Sequence, residues 1–352
     1  MDRAADLSPK TSEQIDRTID LDELAAAANS PERSVRGGPV APGRILLDRY
    51  VLTRVLDSGG ACTVFHARDL EATRETPAFV AVKAPMLIGA PTETARRAIE
   101  RLERQFEQTK RLSHAGIVEV FDLQSEGDLR FLTMELLEGR SLAELLHSYS
   151  GAPPPALVRR ILMQIADALS YAHSVGIVHG RLSPAHVFVL PGDRVKLLGF
   201  GCAQTDTPSA ASRAYASPQI LEGASATIQD DIYSFSSIAY EMISGHHPFE
   251  RRSAKEARDE NLSPEPPPQL SENQSAALLE GLAWDRETRQ SDLKTLATAI
   301  VPRASRNPPP ARPASPPVVT ATLNERDEKR WLILIAACIA AMIVAVVVTR
   351  LG

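Results

Sequence analysis

The sequence predicts an α+β protein of two lobes, strand-rich first and helical second, followed by one membrane-spanning helix. Three observations predict it. Strand-like alternation crowds into residues 45–137, helical spacing dominates residues 138–301, and an uncharged apolar run, WLILIAACIAAMIVAVVVT, fills Trp331–Thr349. Strands grouped together and helices grouped together, rather than alternating, point to segregated layers.

Residues 1–44 are polar and rich in Asp, Ser, Ala and Pro. They bury too little apolar surface to offset the entropy of ordering, and read as a disordered tail. A short helix over SEQIDRTIDLDELAAAA, with Thr11 and Gln14 at capping-box spacing, is the one element this tail offers. YVLTRVLDSGG, CTVFHARD and FVAVKAP then alternate as strands with turns between them. TETARRAIERLERQFEQTKRL has helical spacing, with Ile99, Leu102, Phe106 and Leu112 toward one side. GIVEVFDLQ and LRFLTMELL are two further strands, and VFVL and VKLL two short ones. SLAELLHSY, PALVRRILMQIADALSYAHSVG, DDIYSFSSIAYEMISG and NQSAALLEGLAW supply the helical lobe.

Residues 302–330 form a Pro-rich linker, extended and semi-rigid, that would hold the globular part off the membrane. A PxxP ligand for a partner domain is the second reading of that stretch. Trp331–Thr349 is long enough to cross a hydrocarbon core. A buried core helix is the alternative, but core helices seldom lack polar residues on every face. Arg326, Lys329 and Arg330 precede the run and only Arg350 follows it, which puts the large amino-terminal part in the cytosol of a single-pass protein of the cytoplasmic membrane. Ala337 and Ala341, one turn apart, would let two such helices approach closely and form a homodimer; a simple anchor is the competing reading.

The 352 residues carry a net charge of -5, which argues against a general nucleic-acid binder. The basic runs RRSAKEAR and ARRAIERLER are interleaved with acids and read as solvated helix faces. Cys62, Cys202 and Cys338 are odd in number and widely spaced, so neither a disulfide framework nor a zinc site is expected, and a reducing compartment fits.

The motifs are more specific. VLDSGGACTVFHARD precedes VAVK, Val80 to Lys83; then come LSHAGIV, TMELLEGRSL, YAHSVGIVHGRLSPAHVFV, VKLLGFG, YASPQ, DDIYSFS, SGHHPF and WDRETRQSDL. In this order they resemble the eukaryotic-like (Hanks-type) protein kinases of bacteria, over roughly residues 50–300. The resemblance implies a two-lobed protein-kinase-like domain over 45–301, with an N-lobe at 45–137 and a C-lobe at 138–301. It implies a glycine-rich loop over the phosphates, Lys83 holding them, Met134 at the back of an adenine pocket, a catalytic loop from His179, and a metal-binding segment ending in Phe200 and Gly201. It also implies Asp231 holding the catalytic loop from the central helix.

Against that pattern the chemistry-bearing positions depart. H-R-D-L-K-P-x-N reads His179-Gly180-Arg181-Leu182-Ser183-Pro184-Ala185-His186. His179 is retained, but Arg181 stands at the base position, and a guanidinium has no acceptor with which to take a proton. Ser183 replaces the lysine that assists the phosphate. His186 replaces an asparagine metal ligand, and Gly199 replaces the metal-binding aspartate; a hard cation wants oxygen ligands. The three glycine-loop positions read Asp57, Gly59 and Cys62. Counting back from His114, the helix glutamate that pairs with Lys83 falls on Gln105. Glu103 and Glu107 are near, but two residues along a helix is about 200° around it. Arg289 remains, with Gln219 where its glutamate partner stands.

No catalytic set is therefore intact and no metal is expected. A weak nucleotide pocket remains in Lys83, Gly59, Val64, Ala81 and Met134, with Phe188 beside them; it would take no cofactor, or at most ATP without Mg²⁺. The reading is a membrane-anchored pseudokinase that acts on protein partners as a signalling scaffold or allosteric regulator. The alternatives are a weakly active or atypical Ser/Thr kinase, and an ATP-binding sensor without turnover. Thr18, ahead of an acidic-apolar stretch in the tail, is a candidate phosphothreonine docking segment.

Overall fold

A computed structural model describes residues 40–59, 62–85, 92–201 and 210–301. The tail with Thr18, the Pro-rich linker, the Trp331–Thr349 run with Ala337 and Ala341, and Cys202 and Cys338 lie outside the described residues. Among the described residues no helix is long and apolar enough to cross a membrane.

Six strands form the first sheet: β1 (Ile45–Leu46), β2 (Tyr50–Gly59), β3 (Cys62–Asp69), β4 (Phe79–Pro85), β5 (Val120–Glu126) and β6 (Leu129–Glu135). Their spatial order is β1-β2-β3-β4-β6-β5, every pairing antiparallel. Alternation sorts the side chains onto two faces. Tyr50, Leu52, Phe65, Val80, Val82 and Phe131 share one buried cluster. Ala81, Leu132 and Met134 point to the other, which Leu102 of helix α1 (Thr92–Lys110) covers together with Val118 and Val120.

The stripe that α1 buries is rotated from the one its apolar residues suggest. Ala98, Leu102, Gln105 and Thr109 are the buried positions, while Ile99 and Phe106 are only partly buried and Leu112 lies beyond the helix end. Two of those four are polar, so a count of hydrophobic side chains misses half the buried face.

The second lobe holds β7 (Arg140–Ser141), α2 (Leu142–His147), α3 (Pro155–Ser174), β8 (Val187–Leu190), β9 (Arg194–Leu197), α4 (Ala210–Arg213), α5 (Pro218–Leu221), α6 (Ile228–Ser244), α7 (Ala254–Asp259), α8 (Glu272–Gly281) and α9 (Leu293–Ile300). β7, β8 and β9 form a small antiparallel sheet. α6 is buried all round from Asp230 to Ile243, as a helix with apolar and small residues on every side must be. Its first turn is closed by the Thr227 N–H donating to Asp230 Oδ2 at 2.7 Å, and it ends at Gly245 in a left-handed conformation (φ 87°).

The lobes are joined around β9. The Val118 N–H donates to Leu197 O at 3.0 Å, and the Leu197 N–H to Gly116 O at 2.8 Å. Lys196 Nζ donates to Glu135 Oε2, at the end of β6, at 2.7 Å. These contacts set the segment that ends in Gly199–Gly201 against the sheet that carries Lys83.

Candidate functional site

Lys83 stands on β4 between Val64 of β3 and Leu132 of β6, and one step along the same strand Ala81 pairs with Met134. Register therefore places Lys83 beside the apolar group of Val64, Ala81 and Met134, all three in the cluster facing α1. Gly59 lies at the end of β2, opposite Cys62, and Asp57 lies opposite Val64 with its side chain exposed. Phe188 is half-buried on β8, opposite Lys196, and is not part of that cluster. The Lys83 ammonium donates to Gln105 Oε1 on α1 at 2.7 Å. The helix contact of this lysine thus exists, with a neutral amide as its acceptor.

Below the sheet, the loop from His179 to His186 is held by Asp231. This carboxylate is fully buried, and accepts from the backbone N–H groups of His179 at 2.8 Å and Gly180 at 2.7 Å, and from His173 Nε2 at 2.7 Å. His173 was not singled out by motif; only its place on α3, facing the start of α6, reveals it. His179 is buried, with Nε2 donating to Leu198 O at 2.9 Å and Nδ1 accepting the Arg181 N–H at 3.3 Å, an arrangement that suits the neutral ring. Burial pushes its pKa down. The ring packs 4.7 Å from that of Phe200, which is itself fully buried.

His186 closes a one-turn 3₁₀ segment, Pro184–His186, and its Nδ1 pairs with Ser183 Oγ at 2.9 Å. The ring is closely enclosed, and that enclosure, followed by the neighbouring His179, Arg181 and Lys83, holds its pKa well below the usual histidine range. Its Cδ2 lies where a side chain at 199 would begin: a Cβ built on Gly199 would meet it at 2.8 Å, closer than real Cβ contacts. Gly199 has φ +92°, a backbone state that glycine adopts at no steric cost. The change at 199 and the imidazole at 186 are thus one arrangement, with the ring filling the space the missing side chain leaves.

A magnesium ion does not fit these residues. It dehydrates reluctantly and takes oxygen ligands in octahedral geometry. His186 Nδ1 is already engaged by Ser183, Gly199 offers no side-chain oxygen, and among the described residues no group of three His, Cys, Asp or Glu side chains could hold a metal. Among the described residues, Lys83 meets Gln105, which accepts its hydrogen bond, and the His186 ring is near enough to feel the charges of Arg181 and Lys83.

The helical lobe is braced by buried polar ties, one of which, between Arg289 and Gln219, the sequence reading found. Arg289, its side chain fully buried, donates to Gln219 Oε1 at 2.8 Å and lies 3.5 Å from Asp230 Oδ1. Gln219 is a two-sided bridge rather than a weakened glutamate, because its Nε2 also donates to Trp284 O at 2.8 Å. Asp230 further accepts from Ser217 Oγ and from Arg286, each at 2.7 Å. Glu241 accepts from Tyr215 and Arg251 at the floor of a cavity of about 730 Å³ whose walls include Ser183, Pro184 and Tyr149.

Comparison with known proteins agrees with this geometry. The protein kinase domain family matches residues 50–301. The probable serine/threonine-protein kinase PknB of Corynebacterium glutamicum is 32% identical over 238 residues, which are 64% of this chain and 36% of that protein. Serine/threonine-protein kinase PknB of Mycobacterium leprae is 30% identical over 76% of this chain and 44% of its own length, and serine/threonine-protein kinase PrkC of Bacillus subtilis 28% over 72% and 41%. The chain thus spans less than half the length of these relatives. Among solved structures, the PknI kinase domain of Mycobacterium tuberculosis superposes with a TM-score of 0.58 at 24% identity, over 74% of this chain and 98% of that domain, a likeness of fold alone. The match begins at β2 and ends with α9, taking in the sheet that carries Lys83, the loop that Asp231 holds and the helices beneath, and on that extent the chain belongs to the protein kinase domain family, with bacterial Hanks-type Ser/Thr kinases as its relatives.

Proposed function

We propose that the chain is a pseudokinase: a protein-kinase fold that has lost phosphoryl transfer and serves protein partners as a scaffold or allosteric regulator, anchored to the cytoplasmic membrane through Trp331–Thr349. One observation carries the reading. The place where a carboxylate would hold a metal is taken by the His186 ring against Gly199, with Arg181 at the position of the base. Phosphoryl transfer depends on positioned charge, namely metal ions on the phosphates and a carboxylate that orients the acceptor hydroxyl. A base alone typically contributes about 10²- to 10⁴-fold. With base and both metal positions lost together, no group of acids among the described residues replaces them. The framework is nevertheless intact, since Asp231 still holds its loop and Phe200 is still buried against His179, so the fold can present surfaces to a partner.

The test is transfer of radiolabelled phosphate from ATP by the full chain, to itself and to a generic protein substrate, with Mg²⁺ and then with Mn²⁺. No transfer above background, unchanged by Lys83→Met, is the expected result. Transfer that Lys83→Met abolishes would overturn the reading.

A second reading, a weakly active or atypical Ser/Thr kinase, is favoured by one contact: Lys83 still reaches α1 through Gln105, and the relatives are named as Ser/Thr kinases. The same assay separates the two.

A further inference from the structure

The first sheet carries an exposed apolar row far along the strands from Lys83. Ile45 stands opposite Val51, Val51 opposite Arg68 and Arg68 opposite Phe79, so four side chains cross β1, β2, β3 and β4 on one face. Ile45 and Phe79, with Leu47 and Leu70 just beyond the ends of β1 and β3, each keep between 37% and 51% of their surface exposed. Single exposed apolar residues are ordinary, but several gathered on one face mark an interaction site. Cations stand among them. Arg68 is in the row, and Arg54 lies opposite His66, two residues before Arg68 on β3 and so on the same face. Arg49 is matched by Asp69 at 2.7 Å and Glu71 at 3.4 Å, while Arg54 and Arg68, both exposed, meet no acid among the described residues.

We propose that this row is the docking site of a segment of the same chain, residues 12–28, held by the copy that carries it. Chemistry selects that occupant. Residues 12–28 bring Ile15, Ile19, Leu21 and Leu24 together with five acids, Glu13, Asp16, Asp20, Asp22 and Glu23, against one arginine, Arg17. Apolar side chains for the row and carboxylates for Arg54 and Arg68 are thus in one short stretch. Residues 29–39, by contrast, hold Val35 as their single large apolar residue and more arginine than acid. Reach agrees. The chain joins the sheet beside β2, where the Gly43 N–H donates to Leu52 O at 2.7 Å and Val40 packs against the cluster of Leu46, Tyr50 and Leu52. The 11 residues of 29–39 span up to about 36 Å when extended, and the row crosses only about 15 Å from β1 to β4. Tethering raises the local concentration of the segment to the millimolar range, so a contact too weak to hold a separate peptide is occupied within one chain.

The test is photo-crosslinking in the full chain, dilute and in detergent, with benzoylphenylalanine in place of Leu21 and the joined peptides read by mass spectrometry. The expected product is a link within one copy, from residue 21 to peptides of residues 45–54 or 66–79. Arg54→Glu with Arg68→Glu should cut its yield about tenfold, the scale of two exposed charge pairs turned to repulsion. Asp20→Arg with Asp22→Arg in that background should restore it. Should the sheet variants fail to fold, Asp20→Arg with Asp22→Arg in the otherwise unchanged chain should show the same loss, because those positions lie outside the lobe. Links spread over other surfaces, or no links to the sheet at all, overturn the proposal. A yield that the reversed charges leave unchanged overturns it as well. Links confined to pairs of copies would overturn docking within one chain and make the row a contact between two.

Discussion

Lys83 of β4 and Gln105 of α1 are joined by a single hydrogen bond of 2.7 Å, from an ammonium to a neutral amide, in the place where the related kinases are expected to use an ion pair. Gln105 is 3% exposed, so the contact is shielded from water. Removing the acceptor by Gln105→Ala should lower stability by about 1–3 kcal/mol, the range for hydrogen bonds to charged groups. Gln105→Glu should keep the fold and turn the contact into an ion pair, with a smaller change in stability than the alanine variant. Urea unfolding of both variants checks this.

Asp231 supports the loop from beneath and should be the least tolerant position in the C-lobe. Three donors converge on a carboxylate with no exposed surface. Asp231→Ala strands the backbone N–H groups of His179 and Gly180 without an acceptor, at a cost of about 3–5 kcal/mol. Asp231→Asn keeps one oxygen and should cost less. A loss under about 1 kcal/mol for the alanine variant would mean the loop finds other partners.

Much of this frame is legible in the sequence, and the reasons for the remainder are physical. β3 and β4 coincide with CTVFHARD and FVAVKAP, because alternation over a half-buried strand is a strong signal. Gln105 is placed against Lys83 by counting alone, since one helix turn fixes which residue faces the sheet. His173 and Arg286 are illegible. Their partners lie 58 and 56 residues away in the chain, and no local pattern marks a side chain whose acceptor is brought to it by packing. The two-sided role of Gln219 was hidden for the same reason. The filling of the Gly199 space by His186 was equally out of reach, because the sequence shows two substitutions and not that one occupies the room of the other.

Acid should destabilise the fold between about pH 6.5 and 4, and His247 is a principal cause. Burial, then the Arg251 charge, pushes its pKa from 6.5 down to about 4. The geometry explains why the neutral ring is required: Nε2 donates to Ala214 O at 3.1 Å, while Nδ1 accepts the N–H groups of Phe249 at 3.1 Å and Arg251 at 3.0 Å. The unfolded chain binds a proton below about pH 6.5 that the folded chain refuses until about pH 4, so stability falls as pH falls through that window, by up to about 3 kcal/mol. His179 and His186 are lowered too and act in the same direction. Urea midpoints at pH 7.5 and 5.0 should show the drop, and His247→Gln, though less stable at neutral pH, should show a smaller one.

Gln219→Glu, which restores the charge pairing expected of the family, should not stabilise the protein. It would place a carboxylate oxygen 2.8 Å from the Trp284 carbonyl, where the amide now donates, and Arg289 already has Asp230 at 3.5 Å to balance its charge. A net loss of about 1 kcal/mol is expected, the worth of the hydrogen bond removed. A gain in melting temperature would show that the ion pair outweighs the lost bridge.

The pairing of Gly199 with His186 predicts that the metal site cannot be rebuilt one residue at a time. Gly199→Asp alone puts a Cβ 2.8 Å from the His186 ring at a backbone φ of +92°, so it carries both a clash and a conformational penalty. The left-handed backbone costs an ordinary residue about 1–2 kcal/mol, less for aspartate, and the clash adds to it. His186→Asn alone removes the ring, leaves a gap and loses the contact with Ser183 Oγ, and should cost about 1 kcal/mol. Made together, the two should cost less than their sum by about 1–2 kcal/mol, because the smaller side chain yields the space the carboxylate needs. A double-mutant cycle by urea unfolding measures that coupling, and simple additivity would mean the two positions are independent. Even the coupled pair should not restore phosphate transfer, since Arg181 would still stand where a base is required and Ser183 where a cation is.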